Sequence, residues 1–249
     1  MSLCHVNWFS RVIEKMVTLY AIVPDEGDGP FPVFYLLHGL SDDASGWVRR
    51  TRIELYAAKY PMIVVMPDGF RSFYTRNEQG PDYARYMAEE LPAFVERLFP
   101  ARKGGREARC VGGLSMGGYG ALRLGLGYPD RYASIVSHSG ALLYGSRAWD
   151  KSKNPEFVRV LGENPEGTDH DLRALARRAQ QQCELPKIRI DCGTEDFLIE
   201  ENRTFHAFLD SLRIPHEYEE FPGAHDWDYW DKHVQSALAF HARALGLTQ

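Results

Sequence analysis

The chain has 249 residues, 44% of them hydrophobic, and a formal net charge of -5. That length suits one large α/β domain, and the apolar fraction supports a packed core and argues against disorder. The acidic balance leaves no basic footprint for nucleic acid, and no apolar run approaches the roughly 18 residues that a membrane helix needs. The N-terminal stretch carries Arg11, Glu14 and Lys15 among its apolar residues and has no signal-peptide core, so a cytoplasmic protein is expected. Cys4, Cys110, Cys183 and Cys192 are scattered, with no C-x-x-C pair. Cys110 and Cys192 fall in strand-like runs and read as buried, reduced thiols.

Residues 6–24 mix apolar and polar positions in a way that suits two antiparallel strands, and 25–30 form a turn cluster. Residues 33–37 are a continuous apolar run, the mark of a strand buried on both faces. The run ends in His38-Gly39-Leu40, followed by a polar loop and Trp47. Residues 52–59 read as a helix, and 62–66 as a second buried strand closed by Pro67-Asp68-Gly69. An amphipathic helix is expected over 82–99, kinked or restarted near Pro92. A short strand should end at Val111, broken by Gly112 and Gly113, before a helix over 116–126. Another strand covers 132–137 and ends in His138-Ser139-Gly140. Helices are expected near 155–161 and 171–181, then a strand over 187–192, a helix over 200–212, a strand over 216–221 and a closing helix over 227–245. This alternation predicts one α/β domain over 1–249, a mostly parallel sheet with helices on both faces. The less regular stretch at about 141–184 reads as a short cap-like insertion.

Gly113-Leu114-Ser115-Met116-Gly117 lies between the predicted strand and helix. This is the G-x-S-x-G nucleophile elbow, a strained turn that lifts a serine hydroxyl above the sheet edge. The pattern alone is weak, but a strand before it and a helix after it are the context it requires. A serine hydroxyl is a poor nucleophile near neutral pH, so it needs a base, and the base needs an orienting group. On this fold the chain order is serine, then acid, then histidine, each on a loop after a strand. Asp196 follows the strand ending at Cys192, and His225 follows the strand ending at Phe221, so these are assigned as acid and base. Glu195 is the adjacent competitor, whereas Asp191 alternates within its strand and should point into the sheet. His206, His233 and His241 lie in predicted helices, and His216 begins a strand; none has the loop position of His225. The oxyanion donors should be the backbone N–H groups of Met116 and Leu40.

Five segments together resemble the esterase D and tributyrin esterase group of the α/β-hydrolases: Leu37-His38-Gly39-Leu40, Met66-Pro67-Asp68-Gly69, the elbow through Ala121, Gly193-Thr194-Glu195-Asp196, and the stretch from Pro222 through His225 to Trp227. Antigen 85 mycolyltransferases, S-formylglutathione hydrolases and some feruloyl esterases are relatives. The resemblance runs from about residue 6 to the last helix. It implies the α/β-hydrolase fold, serine-dependent hydrolysis of a small-molecule carboxylic ester, no metal or other cofactor, and frequent homo-oligomers. The segment Pro67 to Tyr74 is similar to a family loop that borders the active site. Tyr119 is as in the tributyrin esterase branch, where S-formylglutathione hydrolases tend to carry histidine. Candidate pocket residues are His38, Gly39, Asp68, Tyr144, Trp149 and Trp227. No cluster has metal-ligand spacing. A non-catalytic binding module would usually lack one of the catalytic positions, and here each is filled.

Overall fold

In the computed structural model, which describes residues 1–182 and 184–247, the chain opens on a hairpin of β1 (Ser2–Ser10) and β2 (Lys15–Val23). Cys183 lies outside the described residues. The two strands pair antiparallel, with Ser2 opposite Val23 and Ser10 opposite Lys15. β3 (Val33–Leu37) leads through α1 (Gly46–Arg50) and α2 (Ile53–Ala57) to β4 (Ile63–Pro67). The expected helix over 82–99 is three pieces: α3 (Tyr83–Arg85), a π-helical turn (Tyr86–Glu90) and α4 (Leu91–Leu98). Pro92 sits in the first turn of α4, where its missing N–H costs least, and the π turn just upstream absorbs the change.

β5 (Arg109–Leu114), α5 (Met116–Gly127) and β6 (Ser134–His138) follow. Then come α6 (Pro155–Leu161), α7 (Leu172–Gln182), β7 (Lys187–Gly193), α8 (Ile199–Ser211), β8 (His216–Phe221) and α9 (Trp227–Ala244). Among the described residues, one sheet holds eight strands in the order β1-β2-β4-β3-β5-β6-β7-β8. The pairs β1–β2 and β2–β4 at one edge are antiparallel, and the pairs from β4 to β8 are parallel.

The apolar run of β3 alternates between two cores. Val33, Tyr35 and Leu37 pack with Leu91 of α4, Leu122 of α5, Leu172 of α7 and Phe205 of α8. Phe34 and Leu36 face the other way, onto Trp47, Ile53, Val234 and Leu238 of α1, α2 and α9. Helices therefore cover both faces, as a strand buried on both sides requires. The expected break does not occur: β5 passes through Gly112 and continues to Leu114. Gly112 and Gly113 stay in the ladder, opposite Leu36 and Leu37 on β3 and Val136 and Ser137 on β6.

The stretch at 141–184 is not one cap. α7 packs against α5 and buries Leu172, Leu175 and Ala176 in the main core, so it belongs to the helical layer. The part that reaches the catalytic edge is the 3-10 turn Tyr144–Ser146 with α6 behind it.

Candidate active site

β5 ends at Leu114 and α5 starts at Met116, so Ser115 alone makes the turn, at φ 54° and ψ -116°. A non-glycine residue at positive φ is strained, by about 1–3 kcal/mol, and persists only where its surroundings hold it. Here the Ser115 N–H donates to the His138 carbonyl at 2.9 Å, and the Ser115 carbonyl accepts from Tyr119 at 3.0 Å and Ala141 at 3.2 Å. The flanking glycines are needed for close approach. A Cβ at Gly117 would lie 2.5 Å from the Leu37 carbonyl oxygen, and one at Gly113 2.6 Å from the same atom.

Because β7 and β8 are parallel neighbours, the loops that follow them leave the sheet at the edge that carries Ser115. His225 Nε2 lies 3.0 Å from Ser115 Oγ, and His225 Nδ1 lies 2.8 Å from Asp196 Oδ2. The other Asp196 oxygen accepts from the Leu198 N–H at 2.8 Å, and the residue is only 2% exposed. The two loops are tied to each other. The Glu195 N–H donates to the Gly223 carbonyl at 3.0 Å, and the Gly223 N–H donates back to the Glu195 carboxylate at 2.5 Å. That backbone donor, with the Thr194 hydroxyl, holds the Glu195 carboxyl below its ordinary range. Glu195 is thus a strut between the loops, and the carboxylate bonded to His225 is that of Asp196. Asp191 is fully buried, within 2.9 Å of His138 Nδ1 and accepting from the Tyr229 hydroxyl at 3.0 Å.

Such a chain can move a proton from the hydroxyl to the imidazole as oxygen attacks a carbonyl. Leu40 and Met116 line the same cavity as Ser115 and His225. Met116 is the first residue of α5, where helical N–H groups lack intrahelical acceptors. Among the described residues the Leu40 N–H has no acceptor, while its carbonyl accepts from Arg71 at 3.1 Å. Arg71 also forks onto Glu156 of α6, tying the Leu40 loop to the insertion.

The cavity holds about 700 Å³, and Gly39, Asp42, Arg50, Phe73, Tyr144, Phe197, Trp227 and Trp230 also line it. Burial pushes the Asp42 carboxyl up from its ordinary range, with His38 and Arg50 pulling the other way. Arg50 is exposed, its guanidinium 5.8 Å from the Trp227 ring.

The Esterase family model, described as "Putative esterase", matches residues 10–241. The chain belongs to this esterase family. An acetyl esterase of Caldicellulosiruptor saccharolyticus is 34% identical to the esterase, across 98% of this chain and 99% of that one. Two solved structures from Staphylococcus aureus are each 30% identical, covering 96% of this chain and 98% of theirs. The fluorophosphonate-binding serine hydrolase FphF superposes with a TM-score of 0.86, and the S-formylglutathione hydrolase FrmB with 0.85. The esterase is thus a serine hydrolase of carboxylic esters with the α/β-hydrolase fold.

Of the six pocket residues expected from its sequence, the esterase brings Gly39, Tyr144 and Trp227 to the cavity and leaves three outside. His38 is 1% exposed, its Nδ1–H donating to the Gly39 carbonyl at 2.7 Å and its Nε2 accepting from Gly69 at 2.9 Å. It ties two loops together, and both ring nitrogens are taken by these bonds. Asp68 instead caps the Phe70 N–H at 2.8 Å and pairs with Lys15 at 3.5 Å. Trp149 stands behind Tyr144, donating to its carbonyl at 3.0 Å and packing on Phe157.

Sequence reasoning missed Asp42, Arg50, Phe73, Phe197 and Trp230. Phe197 is 72% exposed, and its ring centre lies 4.5 Å from that of His225. Its place directly after the acid was the available signal. Phe73 had one too, in the loop after β4, where Phe73 and Tyr74 both take positive φ. Tyr74 donates to the His38 carbonyl at 2.9 Å and so braces the strand end below Leu40.

Proposed function

We propose that this esterase hydrolyses short-chain acyl esters, acetyl to butyryl, through an acyl-enzyme. The observation that carries the reading is the unbroken hydrogen-bond chain from Ser115 through His225 to Asp196. Ser115 Oγ attacks the ester carbonyl as His225 Nε2 takes its proton, and the N–H groups of Leu40 and Met116 receive the oxyanion. His225 then protonates the departing alcohol, and a water repeats the cycle to release the acid. Asp196 holds Nδ1–H in place, and neutral imidazole is the form that can act as base.

The acyl chain length follows from the aromatic wall. Phe73 stacks on Tyr144 at 5.6 Å, Phe157 packs edge-on against both, and Trp149 closes the cluster from behind. Each buried methylene gains about 0.8 kcal/mol only against apolar walls with room to receive it. This wall is apolar but filled from the rear, which supports a short acyl pocket, as does the acetyl esterase relative. kcat/KM measured along a p-nitrophenyl series from acetate to palmitate is expected to peak at butyrate or shorter. A maximum at laurate or beyond would sink this substrate class.

A second reading, thioester hydrolysis with S-formylglutathione as substrate, is supported by the FrmB likeness and by Arg50. Among the described residues Arg50 has no ion-pair partner, and it stands at the cavity, where a leaving group bearing carboxylates would meet it. Tyr119 does not weigh against this reading: it is buried, with its hydroxyl donating to the His170 carbonyl at 2.6 Å, and does not line the cavity. Assaying S-formylglutathione beside p-nitrophenyl acetate separates the two. No helix among the described residues is long and apolar enough to cross a membrane. The buried free thiols Cys110 and Cys192 support a reducing, cytoplasmic setting.

A further inference from the structure

At the sheet edge opposite Ser115, where β8 begins, α8 and β8 bring His206, Asp210 and His216 together. Each offers one ligand atom, and these atoms all lie within 4.8 Å of one another. His206 and Asp210 stand one turn apart on α8, and His216 opens β8.

The hydrogen bonds here decide which nitrogens are free to bind. His216 Nδ1–H donates to the Ile214 carbonyl at 2.8 Å, which leaves Nε2 as a lone pair. A backbone carbonyl that fixes one imidazole nitrogen so that the other can ligate is the usual support of a metal-bound histidine. The His216 lone pair faces His206 Nδ1 at 2.7 Å, close enough for the His206 N–H to donate to it in the empty site. A cation takes the place of that proton between the two nitrogens, releasing it on binding, with the Asp210 carboxylate, 3.5 Å from the His206 ring, as the third ligand. The nearby Glu220 does not supply a competing ligand, because it is held by Arg203 and the Tyr218 hydroxyl. The His206 ring is already oriented, stacked on Tyr218 at 4.2 Å with an interplanar angle of 6°.

We propose that His206, Asp210 and His216 form a binding site for a late first-row divalent cation of the Zn²⁺, Ni²⁺ or Cu²⁺ type. Two imidazoles and one carboxylate favour these ions over the hard cations Mg²⁺ and Ca²⁺, which prefer all-oxygen shells. Water completes the coordination on the exposed side. The site is a clamp and not a reaction centre. α8 leaves the Asp196 loop and β8 leads to the His225 loop, so a cation bridging them fastens together the two elements behind the acid and the base. It binds the folded chain and not the unfolded one, and therefore raises the melting temperature.

The test uses untagged, chelator-stripped protein, titrated calorimetrically with ZnCl₂ and, separately, with MgCl₂. The wild type is expected to bind one Zn²⁺ per chain and to melt higher with it, while Mg²⁺ does neither. His206→Ala and His216→Ala should each weaken Zn²⁺ binding at least ~10-fold, the scale on which even an outer-shell loss is felt. Hydrolysis of p-nitrophenyl acetate by each variant checks that it has folded. If a histidine variant fails that check, the exposed Asp210→Asn variant and the Cu²⁺ electron paramagnetic resonance spectrum of the wild type take its place. Nitrogen couplings from two imidazoles support the site. An unchanged Zn²⁺ isotherm in the folded variants, or a Cu²⁺ spectrum without them, overturns it.

Discussion

Ser115→Ala is expected to lose on the order of 10⁶ in kcat while the protein melts close to the wild type. The large loss follows from chemistry: without Oγ there is no acyl-enzyme, and His225 Nε2 loses the group it faces at 3.0 Å. The small structural effect follows from the elbow itself. The positive φ of Ser115 is held by backbone hydrogen bonds from and to Ser115, and alanine makes the same bonds. Alanine and serine also carry the same Cβ, so the turn is no more strained than before. The measurement is turnover of p-nitrophenyl acetate together with labelling by a fluorophosphonate probe, beside circular dichroism. A folded variant that kept a tenth of the activity, or still took up the probe, would remove Ser115 from the mechanism.

Asp196→Asn is expected to cost about 10⁴ in kcat, because an amide can donate to Nδ1 and so favours the tautomer with its proton on Nε2, facing the serine. The informative control is Asp191→Asn. Asp191 is as buried as Asp196, but it pairs with His138 and Tyr229, and its neighbour Arg189 lies at 3.9 Å. Neutralising one partner of a buried charged network costs stability, about 3–5 kcal/mol, and leaves His225 untouched. Asp191→Asn should therefore appear in the melting curve and Asp196→Asn in kcat. The reverse ranking in folded proteins would mean that Asp191 is the acid.

Much of the reaction geometry was legible in the sequence because it is carried by strand order and loop position. Val33–Leu37 and the other short apolar runs, bounded by turn residues, read as strands buried on both faces, and parallel strands deliver their following loops to one edge. Ser115, Asp196 and His225 meet for that reason, although far apart in the chain. Rotation of a side chain about its own strand end is not written in that pattern. His38 occupies a loop that borders the cavity but turns inward to join Gly39 and Gly69, while Phe73 turns toward it. Glycine misled in β5, since it breaks a strand by propensity, yet in a sheet crossed closely by α5 a small residue is what keeps the strand in place. The cation cluster escaped because no spacing rule joins a histidine and an aspartate one helical turn apart to a histidine on the next strand.

The paired hydrogen bonds between Glu195 and Gly223 have a consequence for how the active centre can be remodelled. They join the acid loop and the base loop where β7 and β8 end side by side, and the 2.8 Å contact between Asp196 and His225 is set on that shared frame. Recombination between homologues should respect the same joint: a segment exchanged after β7 without its counterpart after β8 separates the two halves, whereas the two transplanted together carry an aligned acid and base into a new scaffold.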